Sequence, residues 1–90
     1  MLPIRPTSQF KKDLKKAAAQ GRDLKKLQRV LETLAIPEPL PSEFQDHKLK
    51  GEWKDFRECH LEHDWLLIYT ISDFELRPAR LGTHSDLFKK

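Results

Sequence analysis

The chain has 90 residues, of which 38% are hydrophobic and 34% are charged, a composition that excludes a disordered chain and leaves room for one small core. A single cysteine excludes an internal disulfide and a structural zinc site built on paired thiolates. No apolar run approaches the ~20 residues that a membrane span needs, and the N-terminus lacks the apolar segment of a signal peptide. We therefore expect one cytoplasmic domain over residues 1–90.

Positive charge is concentrated in the first part of the chain. Residues 1–35 carry nine lysines and arginines against three acids, whereas residues 36–90 carry eight bases against eleven acids. A basic half on a small protein favours a polyanionic partner, either nucleic acid or an acidic protein segment. The alternative is a well-solvated helix face that binds nothing.

The N-terminal pattern predicts a short strand and two helices. Residues 2–6, "LPIRP", can form only an edge strand, because each proline lacks the N–H that a central strand needs. Thr7 or Ser8 can cap a helix that ends at Gly21, and Asp23 can cap a second helix that stops at the next proline. The short connection predicts an antiparallel helical hairpin.

The pattern changes from helices to strands after the proline-rich connector "PEPLPSEF". The run "WLLIYTI" is continuously apolar and predicts a buried central strand, while Pro78 in the next run indicates an edge strand or a bulge. A short C-terminal helical turn follows in "GTHSDLF". This order predicts an α+β fold with the helices on one face of an antiparallel sheet meander. Strand alternation in "FRECHLE" places Phe56, Glu58, His60 and Glu62 on one face and Arg57, Cys59 and Leu61 on the other.

Titratable side chains are concentrated between Asp46 and Trp65, "DHKLKGEWKDFRECHLEHDW", where three of the four histidines lie. A metal site on His60 and His63 is disfavoured, because residues three apart on a strand point to opposite faces. Alternation also turns Cys59 away from His60, so we expect a small buried hydrophobe rather than a nucleophile. Acid–base chemistry fits better, since one imidazole can accept a proton while another donates one at neutral pH.

Three motifs together resemble the YafQ-type branch of the RelE/ParE toxin superfamily, the toxins of bacterial toxin–antitoxin pairs. They are "DH.L.G.W", "R..H.E.DW.L.Y" and "GTH..LF", and the resemblance covers essentially the whole chain. It implies a RelE-like microbial RNase fold and a ribosome-dependent endoribonuclease that cuts mRNA in the ribosomal A site by 2′-hydroxyl attack, without a metal or cofactor. The implied partners are a cognate antitoxin, the ribosome and mRNA, and operator DNA for the toxin–antitoxin complex; no membrane is implied.

The resemblance also implies roles for individual residues. His60 and His84 are the expected acid and base, in either order, and Asp64 is expected to orient a histidine. Arg80 is expected to bind the scissile phosphate, and Phe88 either to stack on an RNA base or to dock the C-terminus onto the sheet. The expected catalytic residues are His47, His60, Asp64 and His84, and the expected RNA-binding residues are Lys50, Lys54, Arg57, Arg80 and Phe88.

Two positions depart from the family pattern. Glu58 stands where the family often has aspartate, and its longer side chain changes the reach of that carboxylate. His63 stands where relatives commonly have proline, and its role stays open.

Two other functions compete with the nuclease. The first is a ParE-like gyrase inhibitor, which the four histidines disfavour because that branch lacks the histidine set. The second is a non-catalytic RNA- or DNA-binding repressor, in which loss of lysines and arginines would abolish function while substitution of His60 or His84 would be silent.

Overall fold

Two helices precede a sheet of four strands, and a short helix follows it. The computed structural model describes residues 1–88. The strands are antiparallel neighbours in the order of the chain, so the predicted α+β meander is confirmed. No helix in the described range is long and apolar enough to cross a membrane. The elements are α1 Ser8–Ala19, α2 Leu24–Ala35, β1 His47–Lys48, β2 Arg57–Glu62, β3 Trp65–Ile71, β4 Leu76–Gly82 and α3 His84–Leu87.

Side-chain caps set where the first two helices begin, as predicted. The Thr7 hydroxyl accepts a hydrogen bond from the backbone N–H of Phe10, and the Asp23 carboxylate accepts one from the backbone N–H of Lys26. Each cap satisfies an N–H that would otherwise lack a partner in the first turn, which stabilises the helix by about 1 kcal/mol. Gly21 between the helices has φ +73°, a left-handed conformation that glycine adopts without steric strain.

The N-terminal segment pairs with the edge of the sheet, as predicted, but through one β-bridge rather than a full strand over residues 2–6. The bridge joins Ile4 to Leu76 of β4 in parallel orientation. The backbone N–H of Leu76 donates to the carbonyl oxygen of Pro3. Pro3 and Pro6 have no N–H of their own, so this segment cannot extend the ladder.

The central strand is buried on both faces of the sheet, which accounts for its continuous apolar run. Trp65, Leu67 and Tyr69 pack against the helices in the main core, while Leu66 and Ile68 point the other way. We call the side of the sheet on which Leu66 and Ile68 lie the site face. Its apolar cluster consists of Leu66, Ile68, Ala79 and Leu87, with Leu49, Trp53, Phe56 and Phe88 partly buried against them.

The alternation predicted for β2 fails at its end. The register between β2 and β3 shifts between His60 and Glu62, so Glu62 does not share the face of Glu58 and His60. Its carboxylate instead lies 3.4 Å from Arg22 in the connection between α1 and α2, and that guanidinium lies over the ring of Trp65 in the main core. The prediction for Glu62 was wrong because a bulge breaks the period of two.

Pro78 lies on an edge strand and also at a register shift. β4 is the last strand of the sheet, and its register against β3 shifts between Ile68, which pairs with Arg80, and Tyr69, which pairs with Pro78. A missing N–H is tolerated at such a position, because the ladder is already interrupted there. The shift lies immediately before Arg80 on β4, so it sets the position of Arg80 relative to β3.

Candidate active site

Three histidine rings form a row on the site face. The ring of His47 lies 6.3 Å from that of His60, centroid to centroid, and the ring of His60 lies 5.8 Å from that of His84. His60 is the most enclosed, with 21% of its side chain exposed, whereas His47 and His84 are about half exposed. Three of the four side chains that we expected to be catalytic therefore lie side by side, with solvent access at both ends of the row.

Glu58 lies between the first two rings, and we had not predicted a role for it. Its Oε1 atom is 3.4 Å from Nε2 of His47 and 3.5 Å from Nε2 of His60. The residue is only 5% exposed, and a carboxylate buried to that extent is costly unless positive or hydrogen-bonding groups surround it. The signal that could have found it is the strand alternation that placed it on the same face as His60.

Asp64 holds His84 at the other end of the row. Oδ1 of Asp64 accepts a hydrogen bond of 2.9 Å from the backbone N–H of His84 and one of 2.7 Å from its ring Nδ1. These two bonds, the backbone one first, hold the pKa of Asp64 below its usual range. Because a carboxylate can only accept, Nδ1 carries the hydrogen, and Nε2 is left as the nitrogen that exchanges protons.

His47 is oriented through the same ring atom. Its Nδ1 lies 2.6 Å from the backbone carbonyl oxygen of Gln45 and must donate to it. Gln45 has φ +49°, which turns its carbonyl at the end of a short 3-10 turn over Ser42–Phe44. His47 therefore presents Nε2 toward Glu58.

A tight turn after β4 presents His84 at the start of α3. Thr83 and Asp86 form a capping box, in which the Thr83 hydroxyl accepts from the Asp86 N–H and the Asp86 carboxylate accepts from the Thr83 N–H. The backbone N–H of Thr83 and the side chain of Lys16 hold the pKa of Asp86 below its usual range. A Cβ on Gly82 would lie 2.9 Å from Cβ of Asp86, so only glycine fits this approach.

Arg80 leaves the same strand two residues before this turn, and the structure places its guanidinium against α1. Nε lies 2.9 Å from Oδ2 of Asp13, and Nη2 lies 3.4 Å from Oδ1. A quarter of the Arg80 side chain is exposed. The expected phosphate-binding residue is therefore anchored by a buried carboxylate that the sequence did not mark as functional.

Phe88 packs against aromatic neighbours beside the histidine row. Its ring meets that of Trp53 edge-on at 6.2 Å, and Trp53 meets Phe56 edge-on at 5.1 Å. All three side chains are partly buried in the apolar cluster of the site face. Phe88 thus docks onto the sheet, while part of its half-buried side chain stays exposed.

The other expected RNA-binding residues are divided between two places. Lys50 and Lys54 are exposed on either side of the short turn that carries Trp53 to the site face. Arg57 is not brought to the histidine row, because its Nε lies 3.2 Å from Oδ1 of Asp46, an oxygen that also accepts a hydrogen bond from the hydroxyl of Tyr69.

Cys59 and His63 both lie outside the histidine row. Cys59 is fully buried in the main core, and burial raises the pKa of its thiol, so it is the buried hydrophobe that we expected. His63 is exposed on the turn between β2 and β3. Within residues 1–88, no group of three or more histidine, cysteine, aspartate or glutamate side chains has an arrangement suited to a metal ion.

Comparison with known proteins places the chain and its fold in one family. The family model described as the bacterial toxin of type II toxin–antitoxin systems, YafQ, matches residues 2–89. The mRNA interferase toxin YafQ of Escherichia coli K12 is 45% identical over 87 residues, which cover 94% of each chain. A copper-bound mutant toxin from Helicobacter pylori superimposes with a TM-score of 0.94 at 48% identity, covering 98% of this chain and 100% of that one. YafQ in the E. coli DinJ–YafQ toxin–antitoxin complex gives a TM-score of 0.89 at 41% identity, over 97% of both chains.

Proposed function

The chain belongs to the YafQ family of toxins from bacterial type II toxin–antitoxin systems, and from this premise we propose that it is an endoribonuclease that cleaves mRNA on the ribosome and so stops translation. The E. coli relative is named an mRNA interferase, which supports the substrate class. The observation that carries the proposal is the row of three imidazoles. Since bacterial translation takes place in the cytoplasm, the protein would act there.

The proposed reaction is an attack of a ribose 2′-hydroxyl on the neighbouring phosphorus. A base removes the proton of the 2′-hydroxyl as the new oxygen–phosphorus bond forms. An acid protonates the 5′-oxygen as its bond to phosphorus breaks, which leaves a 2′,3′-cyclic phosphate and a 5′-hydroxyl. The reaction needs two groups that exchange protons near neutral pH, and histidine is the side chain whose ordinary pKa suits both roles.

His60 and His84 are the proposed acid–base pair, because their rings are neighbours and lie on different elements. Asp64 fixes the ring of His84 through Nδ1 and leaves Nε2 to act on the substrate. Glu58 lies between the rings of His47 and His60 and orients both. Its carboxylate can also accept a proton that either ring releases. General acid–base catalysis of this kind contributes about 10²–10⁴-fold to a rate.

The remaining side chains of the site bind RNA in this proposal. Arg80 binds the phosphate that gains charge in the transition state, a task for which its planar fork is better suited than an ammonium group. Phe88 stacks on a base of the message, and Lys50 and Lys54 bind neighbouring phosphates. Arg57 is not part of this set, because it lies away from the histidine row and Asp46 already holds it.

Engagement of the ribosome would use the basic surface of the helical pair. The lysines at positions 11, 12, 15, 16 and 25 are all exposed on α1 and α2. Exposed lysines can bind rRNA phosphates with release of counterions, which makes binding steeply dependent on salt.

A cognate antitoxin is the proposed partner, in keeping with the complex that E. coli YafQ forms with DinJ. A groove of about 380 Å³ lies between α1 and α2 and is mostly apolar. An amphipathic acidic segment fits it, because an apolar face could fill the groove while carboxylates meet the lysines of both helices. Binding of operator DNA by the toxin–antitoxin complex stays a prediction. The groove is lined by Ile4, Phe10, Leu14, Leu24, Leu27, Gln28, Leu31 and Glu32.

The test of the proposed function is mapping of RNA 5′ ends in a bacterial cell-free translation system. We expect cuts on translated message only, and their loss in His84→Ala and His60→Ala. His63→Ala is the matched control, because it removes an exposed histidine outside the row and should cut like the wild type. Stalled translation with intact message would instead favour a non-catalytic binding module or a gyrase inhibitor.

A further inference from the structure

Asp13 is a buried carboxylate of α1 whose bonding capacity is fully used. Its side chain is 9% exposed. Oδ2 accepts from Arg80 Nε and from the backbone N–H of Leu81, both at 2.9 Å. Oδ1 accepts from Gln9 at 3.0 Å and from Arg80 Nη2 at 3.4 Å. Four acceptor positions thus meet four donors, and two of these donors belong to one guanidinium.

The pair leaves half of the Arg80 guanidinium open. Asp13 binds the edge formed by Nε and Nη2. Within residues 1–88 no acceptor is hydrogen-bonded to Nη1, so the other edge, formed by Nη1 and Nη2, can still bind two oxygens of a phosphate. Arg80 lines a cleft of about 280 Å³ between α1 and the β4–α3 segment, in which Lys12 and Lys16 also lie.

The strand register connects this arginine to the catalytic row. Arg80 pairs with Ile68 on β3, Ile68 pairs with Glu58 on β2, and Glu58 pairs with His47 on β1. Two strand spacings, about 10 Å, separate the backbone of Arg80 from that of Glu58. A phosphate bound by the Arg80 side chain can therefore reach the imidazoles of His47 and His60, which lie beside Glu58. A second tie from α1, the 3.2 Å ion pair between Lys16 and Asp86, secures the turn that carries His84.

We propose that Asp13 is the positioning residue for Arg80: it holds the guanidinium by one edge so that the other edge meets the scissile phosphate. This inference rests on the proposed function, since it assigns the phosphate of the RNA to the open edge. An arginine without this anchor would sample many rotamers, and each misplacement of a charged donor weakens transition-state stabilisation.

The first experiment is a double-mutant cycle on RNA cleavage. Asp13→Asn keeps the size of the side chain and an oxygen for the Leu81 N–H, but it removes the charge and one acceptor from Arg80. We expect it to slow cleavage at least about tenfold in the presence of Arg80, and to have less than a twofold effect when combined with Arg80→Ala. An equal loss in both backgrounds would mean a structural role only, and an undiminished rate in the single variant would also overturn the proposal.

Asp23→Asn is the matched control for this cycle. It makes the same chemical change at another aspartate, the N-cap residue of α2, which has no bond to Arg80. We expect cleavage within twofold of the wild type. Thermal unfolding of every variant separates a loss of folded protein from a loss of positioning.

A second measurement keeps the proposal testable if the protein cuts no RNA. The Nε–H resonance of Arg80 is followed by ¹H–¹⁵N NMR while inorganic phosphate is added to the folded protein. We expect a saturable shift in the wild type and a Kd at least about tenfold weaker in Asp13→Asn. Equal phosphate binding by both proteins would overturn the positioning role, whereas absent cleavage with the expected difference in phosphate binding would count against the nuclease alone.

Discussion

One oxygen of Asp64 accepts two hydrogen bonds from a single residue, His84: one from the backbone N–H at 2.9 Å and one from ring Nδ1 at 2.7 Å. The ring can therefore neither flip nor exchange its tautomer without loss of a charge-assisted bond. Because the backbone of His84 is bound as well, the same carboxylate fixes where α3 begins and how its first side chain points.

Removal of this carboxylate should reduce cleavage in two steps. Asp64→Asn keeps an oxygen for both donors but loses the charge, and we expect about a tenfold slower reaction; Asp64→Ala loses the acceptor as well, and we expect about a hundredfold. The measurement is the rate of 5′-end formation on translated message. Asp73→Asn, an exposed aspartate in the turn between β3 and β4, is the control and should be silent. Equal rates for the wild type and Asp64→Ala would contradict an orienting role.

The pH dependence of the Asp64–His84 contact follows from the lowered pKa of Asp64. A carboxylate whose pKa is lower in the folded state stabilises the fold above its unfolded pKa, about 3.9, and this contribution disappears as the pH falls through the lower folded value. An NMR titration of the Asp64 carboxyl carbon should give a midpoint below that of the unfolded chain.

His84→Ala should raise this midpoint only in part, because the backbone N–H, the larger cause of the shift, remains. Asp86 serves as an internal control, since Thr83 and Lys16 lower its pKa instead and the substitution should leave it unchanged. A full return of Asp64 to the unfolded value would show that the ring bond dominates.

The length of Glu58 should matter, because one oxygen lies within 3.5 Å of two imidazoles. Glu58→Gln removes the charge between them, and we expect at least about a hundredfold slower cleavage. Glu58→Asp is one methylene shorter and cannot approach both rings equally, so we expect an intermediate rate. Glu62→Gln is the control: it removes a strand carboxylate that pairs with Arg22, and a surface pair of this kind contributes at most about 1 kcal/mol. A Glu58→Gln rate equal to that of the wild type would limit Glu58 to packing.

Gly82→Ala should destabilise the protein and displace His84. The new methyl group would lie 2.9 Å from Cβ of Asp86, which forces the capping box apart. Steric insertions of this kind cost about 1–3 kcal/mol, and each kcal/mol lowers the Tm of a chain this size by about 4–8 °C.

Gly21→Ala separates these two effects. Position 21 has φ +73°, so alanine is strained there by about 1–2 kcal/mol, but the turn between α1 and α2 carries no member of the histidine row. We expect the Tm to fall in both variants. RNA cleavage per folded molecule should fall only in Gly82→Ala. Full specific activity in Gly82→Ala would show that α3 tolerates the displacement.

Local features of this protein could be predicted from its sequence. Thr7 and Asp23 cap the helices because their oxygens reach N–H groups three residues away, and a bond across so few residues follows from the sequence itself. The same holds for the period of two that placed Glu58 and His60 on one face. The histidines could be nominated as an acid–base set from residue type and resemblance, before any contact between them was known.

Two residues in the strands, Pro78 and Glu62, show what a local sequence pattern cannot predict. Pro78 indicated an edge or a bulge, but only the pairing with Tyr69 shows that the register shifts there. The spacing of Glu62 predicted that it would lie on the site face, but it pairs with Arg22 instead. The cause is a bulge, which depends on how two strands pair and not on the pattern of one strand.

The sequence alone determined the helices, the three longer strands and the residue types available for catalysis, because these follow from side-chain spacing and caps within a few positions. Tertiary structure alone decided which groups meet. Asp64 bonds to His84 across 20 positions, and Asp13 bonds to Arg80 across 67. Contacts at such separations depend on how the sheet pairs and how α1 packs on its edge, so a carboxylate such as Asp13 is indistinguishable in the sequence from a solvated one.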